Sequence, residues 1–426
     1  MSEASKAAPF RISSSPRGVR FLGWHRMLTS LWARCLLICL LFAEAPALSF
    51  AEHQRQGVRP KPAPSLAEVS RAIAAAARYL EHACGQDGKF IYRIDPNTGG
   101  EADSYSIARH AGAMYALATL HHIHHDPDAA RALLRAAGFL RRNYIGPGFR
   151  PRQLVVWPSP PPDRSYAELG ASALGLVALV AAHGVDPKSI PLEELQALGR
   201  FVLFLQREDG SFVSEYRADS GPVSDWESLY YPGEAALGLI ALYETDHDLQ
   251  WLNAAARGLS YLAKSRAGLS AVSADHWALI ATARLLPHCE KHSCAASRTD
   301  LLRHAIQICE SILREQNTNP TLPLLEGAFD STGRTAPTAT RLEGLLAALE
   351  FVPKEETGLR ARIEAASERS TAFLLRAQIK SGRYAGGVPG VLDDDAKSGS
   401  AIRIDYVQHA LCAWLLYRQL FQPAKR

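Results

Sequence analysis

A cluster of side chains that can carry charge or transfer protons lies in the segment RIDYVQHAL, residues 403–411. Its ionisable and hydrogen-bonding members are Arg403, Asp405, Tyr406, Gln408 and His409. The residues that follow are mostly apolar, so the segment is typical of the start of a helix that enters the interior. A charged group in such a helix is costly unless it is paired or functional. The segment therefore predicts part of a binding or catalytic site.

Five earlier segments begin in the same way, within 103–110, 166–168, 225–234, 275–277 and 340–343. Across all six segments, the candidate catalytic residues are Glu234, Asp405, Glu343, His276 and His409. The candidate substrate-binding residues are Arg109, His110, Tyr105, Tyr230, Tyr231, Trp277, Arg341, Arg403, Tyr406 and Gln408. Asp225 and Asp275 are interpreted as helix caps, since acids are common in the first turn of a helix.

The elements that must position these groups are helices, because nearly every apolar pattern after residue 64 has helical period. One kind is amphipathic and is predicted at 65–84, 129–144, 192–208, 250–265, 299–316 and 360–380. The other kind is apolar nearly all round, as buried helices are, and is predicted at 104–120, 165–181, 228–244, 273–287, 337–351 and 403–419. The two kinds alternate. The sequence therefore predicts an all-α (α/α)6 toroid over 65–420, with six outer and six inner helices and a tail at 421–426.

The loops indicate which end of the toroid holds the site. Loops from an outer to an inner helix are long, such as 145–164, whereas those from inner to outer helices are mostly short, such as 245–249. The long loops open where the inner helices begin, and loops on a rigid scaffold are where function concentrates. The six ionisable helix starts are therefore predicted to form one funnel. Helix N-termini and arginines there favour an anionic ligand.

Three turns share a local motif. LQREDGSF (205–212), CGQDGKF (84–90) and KSGRYAGG (380–387) each follow an outer helix. A glycine such as Gly88 or Gly210 permits the left-handed conformation that ends a helix. The Q-x-x-D-G-x-aromatic turn resembles the repeat of terpenoid cyclases and prenyltransferase-like toroids, and the architecture resembles six-hairpin glycosidase-like bacterial proteins. The resemblance implies the fold, and by analogy an enzyme that acts on carbohydrate.

Two carbohydrate chemistries remain open. Hydrolysis needs one carboxylic acid and one carboxylate, for which Glu234 and Asp405 are the first choice and Glu343 the reserve. Lysis or epimerisation of a uronate-containing glycan needs an arginine to neutralise the uronate and a base to remove a proton, for which Arg109, Arg341, His276, His409 and Tyr406 are available. The residues do not separate the two.

Other functions are less consistent with the sequence. The D-x-D-D acid motif of terpenoid cyclases that protonate their substrate does not occur. A non-catalytic glycan-binding protein of the cell envelope is a further alternative. The net charge of +4 and the lack of basic runs interleaved with aromatics argue against nucleic acid as a partner.

No cofactor or metal is expected, except that Asp393, Asp394 and Asp395 form a possible site for a divalent cation. The histidine-rich stretch at 121–125 falls at the short-loop end and is not expected to bind metal.

The first 51 residues predict a signal peptide, with arginines before the apolar run CLLICLLF and small residues after it. A linker at 52–64 follows. The run is shorter than the roughly 20 residues of a membrane span, so we expect a periplasmic or secreted protein, with an uncleaved membrane anchor as the minor alternative. Five cysteines follow the signal, and Cys289 and Cys294 are the expected disulfide.

Overall fold

The computed structural model describes residues 63–422, except for 161, 224–225 and 393–399. The predicted signal peptide at 1–51, Asp225, and the aspartates at 393–395 lie outside the described residues. Within the described part, the chain forms twelve α-helices. These are α1 (Leu66–Ala83), α2 (Ile107–His124), α3 (Pro127–Tyr144), α4 (Leu169–Val185), α5 (Leu192–Phe204), α6 (Tyr231–Asp246), α7 (Leu249–Ser265), α8 (His276–Cys289), α9 (Arg298–Glu315), α10 (Thr335–Leu349), α11 (Thr357–Ala377) and α12 (Ile404–Phe421).

The even-numbered helices form a closed inner ring. Each packs against the next, in the order α2, α4, α6, α8, α10 and α12, and α12 packs against α2. The odd-numbered helices lie outside this ring. Inner helices are buried almost all round, as in α4 and α6, whereas α1, α3 and α7 bury one stripe rich in Ala and Leu. The predicted (α/α)6 toroid and its alternation of helix types are confirmed.

Short strands connect the long loops at the mouth, the end where the inner helices begin. In the described residues they are β1 (Arg93–Ile94), β2 (Ile145–Pro147), β3 (Leu154–Val156), β4 (Tyr166–Glu168), β5 (Glu215–Arg217), β6 (Gly221–Pro222) and β7 (Ile402–Arg403). They form the antiparallel sets β1–β7, β2–β3 and β4–β5–β6. The pairing of β1 with β7 joins the first long loop to the last.

The inner helices begin within one to four residues of their predicted starts, and the largest difference has a structural cause. The fourth helix was expected from residue 165, but α4 begins at Leu169. Residues 166–168 are extended instead, because they pair with β5, where Glu168 lies opposite Glu215. A short apolar run in a sequence does not reveal such a partner 47 residues away.

The repeated turn clamps neighbouring outer helices together. At the end of α5, Gln206 Nε2 donates to the carbonyl oxygen of Ala254 in α7 at 2.8 Å. Gly210 in the same turn has φ +92°, and a Cβ there would lie 2.6 Å from the carbonyl oxygen of Arg257. The residue must therefore be glycine, both for its conformation and for this close approach.

The same clamp recurs around the ring. At the end of α11, Gln378 Nε2 donates to the carbonyl oxygen of Ala72 in α1 at 2.9 Å, and Gly386 takes the left-handed conformation. In the first copy Cys84 replaces the glutamine, with its Sγ 3.5 Å from the carbonyl oxygen of Ala132. A fourth copy, which the sequence did not reveal, uses Gln316 and Gly327. Eleven positions separate these two residues, so the motif spacing is lost.

The expected disulfide between Cys289 and Cys294 is present at the end of α8. Cys84, Cys309 and Cys412 are free and buried. No helix in the described part of the chain is long and apolar enough to cross a membrane.

Candidate active site

Two histidines meet where the inner helices begin. His276 is the first residue of α8, and His409 lies in the second turn of α12. Their ring centroids are 5.5 Å apart, with the planes at 75°. Two imidazoles at this distance can contact one small ligand.

A buried carboxyl group from a third inner helix orients His409. The Oε1 atom of Glu343 in α10 lies 2.7 Å from Nδ1 of His409. Glu343 is fully buried, and its Oε2 has no hydrogen-bond partner. Burial raises the pKa of this carboxyl group, and His409 opposes that shift. Because Nδ1 is engaged, Nε2 is the ring nitrogen of His409 that remains for a ligand.

His276 is buried and has no hydrogen-bond partner in the described residues. It is 1% exposed, and neither ring nitrogen has a hydrogen bond. Burial holds the pKa of His276 well below its usual range, and the nearby His409 and Arg341 lower it further. The ring is therefore neutral at physiological pH. An unpaired buried imidazole is uncommon in a purely structural position, because each unmade hydrogen bond costs free energy.

Aromatic rings surround this pair. Tyr230, at the start of α6, meets His276 edge to face at 5.1 Å, and Trp277 lies 6.3 Å from His409. Trp277 also meets Tyr115 of α2 at 5.9 Å across the inner ring. Trp277 thus contacts both the histidine pair and an aromatic ring of the opposite inner helix. Tyr115 was not among the predicted site residues. It lies more than two turns inside α2, whereas the ionisable pattern in the sequence marks only the helix starts.

A second group of carboxyls lies beside the histidines. Glu234 in α6 is 5% exposed, and its Oε2 has no hydrogen-bond partner. Burial raises the pKa of Glu234 well above its usual range, and the negative charges of Asp275 and Glu168 add to the effect. Burial also raises the pKa of Glu168, whose Oε2 accepts a long hydrogen bond from the Tyr231 hydroxyl at 3.5 Å. Glu234 is therefore a candidate proton donor.

Asp405 is held by two arginines. Its carboxylate oxygens accept hydrogen bonds from Arg403 at 2.5 and 2.7 Å and from Nε of Arg109 at 3.2 Å. Arg109 also donates to the Tyr92 hydroxyl at 2.8 Å, and the Arg403 guanidinium lies 4.4 Å from the ring centre of Tyr406. The pairing of β1 with β7 places Arg403 in this group. Both carboxylate oxygens of Asp405 are engaged by guanidinium groups, so the geometry favours a positioning role for Asp405 over the catalytic role that the sequence suggested.

Three predicted binding residues lie in the wall of the barrel. His110 is fully buried, with Nδ1 2.7 Å from the Tyr105 hydroxyl and Nε2 3.0 Å from the carbonyl oxygen of Ala136. Burial lowers the pKa of His110 to about 4. Tyr105 in turn accepts a hydrogen bond from the Phe90 amide, and Gln408, 2% exposed, packs against Gly112. His110 and Gln408 are buried and Tyr105 is half-buried, so these contacts favour a supporting role, and direct contact of the three residues with substrate stays a prediction.

Two further side chains at the helix starts are engaged in ion pairs. Nε of Arg341 donates to Glu315 at 2.7 Å, although its charge still acts on His276. Asp275 accepts from the Ala278 amide at 3.1 Å and from Arg266 at 2.9 Å. Its interpretation as a helix cap is confirmed.

Close helix packing brings the site residues together. A Cβ at Gly344 of α10 would lie 3.0 Å from Cα and Cβ of His276, and one at Gly233 of α6 would lie 2.6 Å from the Ala278 amide nitrogen. Glycine at both positions lets α6 and α10 approach α8 closely, which holds Glu234 and Glu343 beside the histidines.

The described residues contain no group of three or more His, Cys, Asp or Glu side chains that could hold a metal ion. In the histidine-rich stretch, His121 contacts the carbonyl oxygen of Asp126, and His125 is the left-handed residue that ends α2. The possible cation site at 393–395 lies outside the described residues, so it stays a prediction.

Comparison with known proteins gives the fold context. No protein-family model and no curated protein match the sequence. Among solved structures, a D-mannose isomerase superposes with a TM-score of 0.62 at 12% identity, covering 83% of this chain and 98% of its own. A cellobiose 2-epimerase from Bacillus thermoamylovorans gives 0.61 at 13%, covering 83% and 99%. An α-1,6-mannanase from Salegentibacter gives 0.58 at 12%, covering 83% and 99%. At such identities the comparison shows the fold alone, the (α/α)6 toroid.

Proposed function

We propose that the protein is a carbohydrate-active enzyme that moves a proton at a carbon atom of a sugar, as an epimerase, isomerase or lyase does. The observation that carries this proposal is the pair His276 and His409, with Glu343 bonded to His409. Proteins of the same fold include a sugar isomerase and a sugar epimerase by name, which supports the carbohydrate class.

The two histidines suit different roles in such a reaction. His409 is the more accessible ring, and Glu343 fixes its Nδ1, so its Nε2 can remove the proton from a carbon next to a carbonyl or carboxylate group. Glu343 stabilises the imidazolium that forms. His276 is neutral and can donate a hydrogen bond to the oxygen on which negative charge develops. Delivery of a proton to the opposite face of that carbon gives an epimer, and delivery to the adjacent carbon gives an isomer. Cleavage of the C–O bond at the neighbouring carbon, with a proton taken up by the departing oxygen, gives a lyase product.

The arginine group favours an anionic sugar. Arg109 and Arg403 share the single carboxylate of Asp405, which leaves a net charge of about +1 beside the histidines. Arg109 remains substantially exposed, with a side-chain accessibility of 42%. Guanidinium groups bind carboxylates well, so we propose a uronate-containing polysaccharide or envelope glycan as the substrate.

Glycoside hydrolysis is the second candidate, because Glu234 is a buried carboxyl group with an unpartnered oxygen beside another carboxyl, Glu168. A protonated Glu234 could act as the acid of a hydrolase. Asp405, the expected partner, is engaged by the arginines, so this chemistry would have to use Glu168 instead.

We also propose that the protein is exported. The signal-like pattern of residues 1–51 and the disulfide between Cys289 and Cys294 support this. The measurement is the N-terminal sequence of protein recovered from the periplasm or medium; the full N-terminus in the cytoplasm would contradict export.

The test of function is turnover in D2O by the purified protein. Acidic and neutral glycans are screened by mass spectrometry and NMR, beside His409→Asn, His276→Asn and the exposed control His122→Asn. The proposal expects solvent deuterium on one product carbon, or an unsaturated uronate, with at least a ~100-fold loss in the first two variants and none in the control. Hydrolysis without deuterium on carbon, abolished in Glu234→Gln but retained in His409→Asn, would overturn it in favour of the second candidate.

A further inference from the structure

An exposed tryptophan lies at the rim of the mouth. Trp226 is 43% exposed, and it is the one aromatic residue among the large apolar side chains that are exposed in the described part of the chain. None of the roles described above uses it. A single exposed apolar side chain is ordinary on a protein surface, so its significance depends on how it is held and what it adjoins.

The backbone on both sides of Trp226 is anchored. The amide of Val223 donates to the carbonyl oxygen of Glu215 at 2.9 Å, and the amide of Ser228 donates to the buried Ser214 hydroxyl at 2.9 Å. The neighbouring Glu227 lies 3.8 Å from Arg207. Val223 and Ser228, one on each side of Trp226, are therefore both tied to the segment 214–215.

The ring of Trp226 retains a free face. It meets Tyr231 at 5.7 Å with the planes at 83°. In an edge-to-face contact of this kind, at least one face of each pair member stays outside the contact. The Tyr231 ring packs directly on Gly170 of α4, where a Cβ would lie 2.2 Å from Cε1 of the tyrosine. The ring therefore cannot move closer to α4.

The start of α6 links this ring to the histidine pair. Trp226 contacts Tyr231, and the preceding residue, Tyr230, contacts His276. A single dipeptide at the start of α6 thus separates the exposed ring from the proposed site of reaction. The hydroxyl of Tyr231 and the carboxyl of Glu168 lie beside it and offer hydrogen bonds to sugar hydroxyls.

We propose that Trp226 is a binding platform on which a second sugar unit stacks, next to the unit that reacts at the histidines. An aromatic face matches the apolar C–H face of a pyranose, while polar groups at its edge bind the hydroxyls. The inference rests on the proposed function for the position of the reacting unit. It adds that the substrate is an oligosaccharide or polysaccharide, and that a free monosaccharide is bound weakly.

The experiment measures binding by calorimetry and by tryptophan fluorescence. The probes are D-glucose with cellopentaose as a neutral pair, and D-mannuronate with a mannuronate pentasaccharide as an acidic pair. The variants are Trp226→Ala, Trp226→Phe and Leu249→Ala, which removes an equally exposed apolar side chain from the start of α7 at the other end of the barrel. Thermal unfolding of each variant checks that the fold is intact.

The expected result is that one pentasaccharide binds more tightly than its monosaccharide, and that Trp226→Ala weakens the pentasaccharide about tenfold. Trp226→Phe should retain part of the affinity, Leu249→Ala all of it, and monosaccharide binding should not change. Equal binding of the pentasaccharide by wild type and Trp226→Ala, or failure of every pentasaccharide to bind, would overturn the proposal.

Binding is also measured in His409→Asn, which separates this inference from the proposed reaction. Trp226-dependent binding without turnover of any glycan would count against the reaction alone. Turnover that does not depend on Trp226, with unchanged affinity for the pentasaccharide, would count against the platform alone.

Discussion

His409 of α12 and Glu343 of α10 meet between two neighbouring inner helices, with Nδ1 and Oε1 2.7 Å apart. The two residues are 66 positions apart in sequence and come from different helical hairpins. Because Glu343 is fully buried and its Oε2 has no hydrogen-bond partner, the contact with His409 is the one hydrogen bond that this carboxyl group makes in the described residues.

Replacing Glu343 by Gln should therefore lower kcat by at least about tenfold, with a smaller effect on KM, because the amide neither orients His409 in the same way nor stabilises its imidazolium. Steady-state kinetics on the substrate found in the glycan screen measures this. Glu355→Gln, at an exposed position before α11, serves as the control. A Glu343→Gln enzyme with normal kcat would show that the pair is structural.

Glu234→Gln should change how stability depends on pH. An unfolded glutamate has a pKa of about 4.3, whereas burial raises that of folded Glu234 well above its usual range. Between these values the folded protein keeps a proton that the unfolded chain has lost, so stability falls as pH rises, by up to about 1.4 kcal/mol per pH unit. The glutamine variant lacks this loss, so its stability relative to wild type should increase as the pH is raised from 5 to 8.

Urea unfolding at several pH values measures that difference, with the exposed Glu208→Gln as the control. Parallel stability curves for Glu234→Gln and wild type would contradict a buried, protonated Glu234.

Gly210→Ala should destabilise the toroid more than Gly268→Ala. Both glycines have positive φ, +92° and +75°, which costs another residue about 1–2 kcal/mol. Only at Gly210 would the new Cβ also meet a backbone carbonyl, at 2.6 Å, whereas Gly268 has nothing within 4 Å. The difference between the two unfolding free energies isolates the contact of the clamp with α7. Equal losses would show that the clamp adds nothing beyond backbone conformation.

Arg109→Ala should weaken the use of an anionic substrate and spare a neutral one. Asp405 would keep its two hydrogen bonds to Arg403, so the local fold is preserved. Loss of one charge-assisted hydrogen bond corresponds to a rise in KM of about tenfold or more. The comparison uses a uronate glycan and the same glycan with its carboxyl groups reduced. A similar loss on both substrates would argue against recognition of the carboxylate.

The sequence was sufficient for the architecture, but not for the direction of individual side chains. His110 and His276 both lie near the start of an inner helix, yet His110 bonds to α3 and His276 meets His409. An inner helix is apolar on every face, so its hydrophobic pattern does not distinguish the side toward the axis from the side toward the outer layer. The same ambiguity explains why Tyr105 and Gln408 were expected at the substrate.

Ion pairing was equally hard to anticipate. Arg403 and Asp405 are two residues apart, but their bond to each other and to Arg109 depends on β7 pairing with β1, which brings together the first and last long loops. The fourth clamp, Gln316 with Gly327, shows the opposite situation. Its contacts with the next outer helix match those of the other clamps, but its spacing in the sequence differs, so the motif does not reveal it.

Closure of the ring through Gln378 and Ala72 joins residues 306 positions apart. Contacts of such long range form late in folding, because the entropy of closing the intervening chain must be overcome first. His409 belongs to the helix that packs against both α10 and α2 and so completes the circle. A chain in which α12 has not yet docked lacks the second histidine of the proposed site. The proposed activity should therefore appear only when the inner ring of helices closes. Formation of the His276–His409 pair would then report that folding is complete.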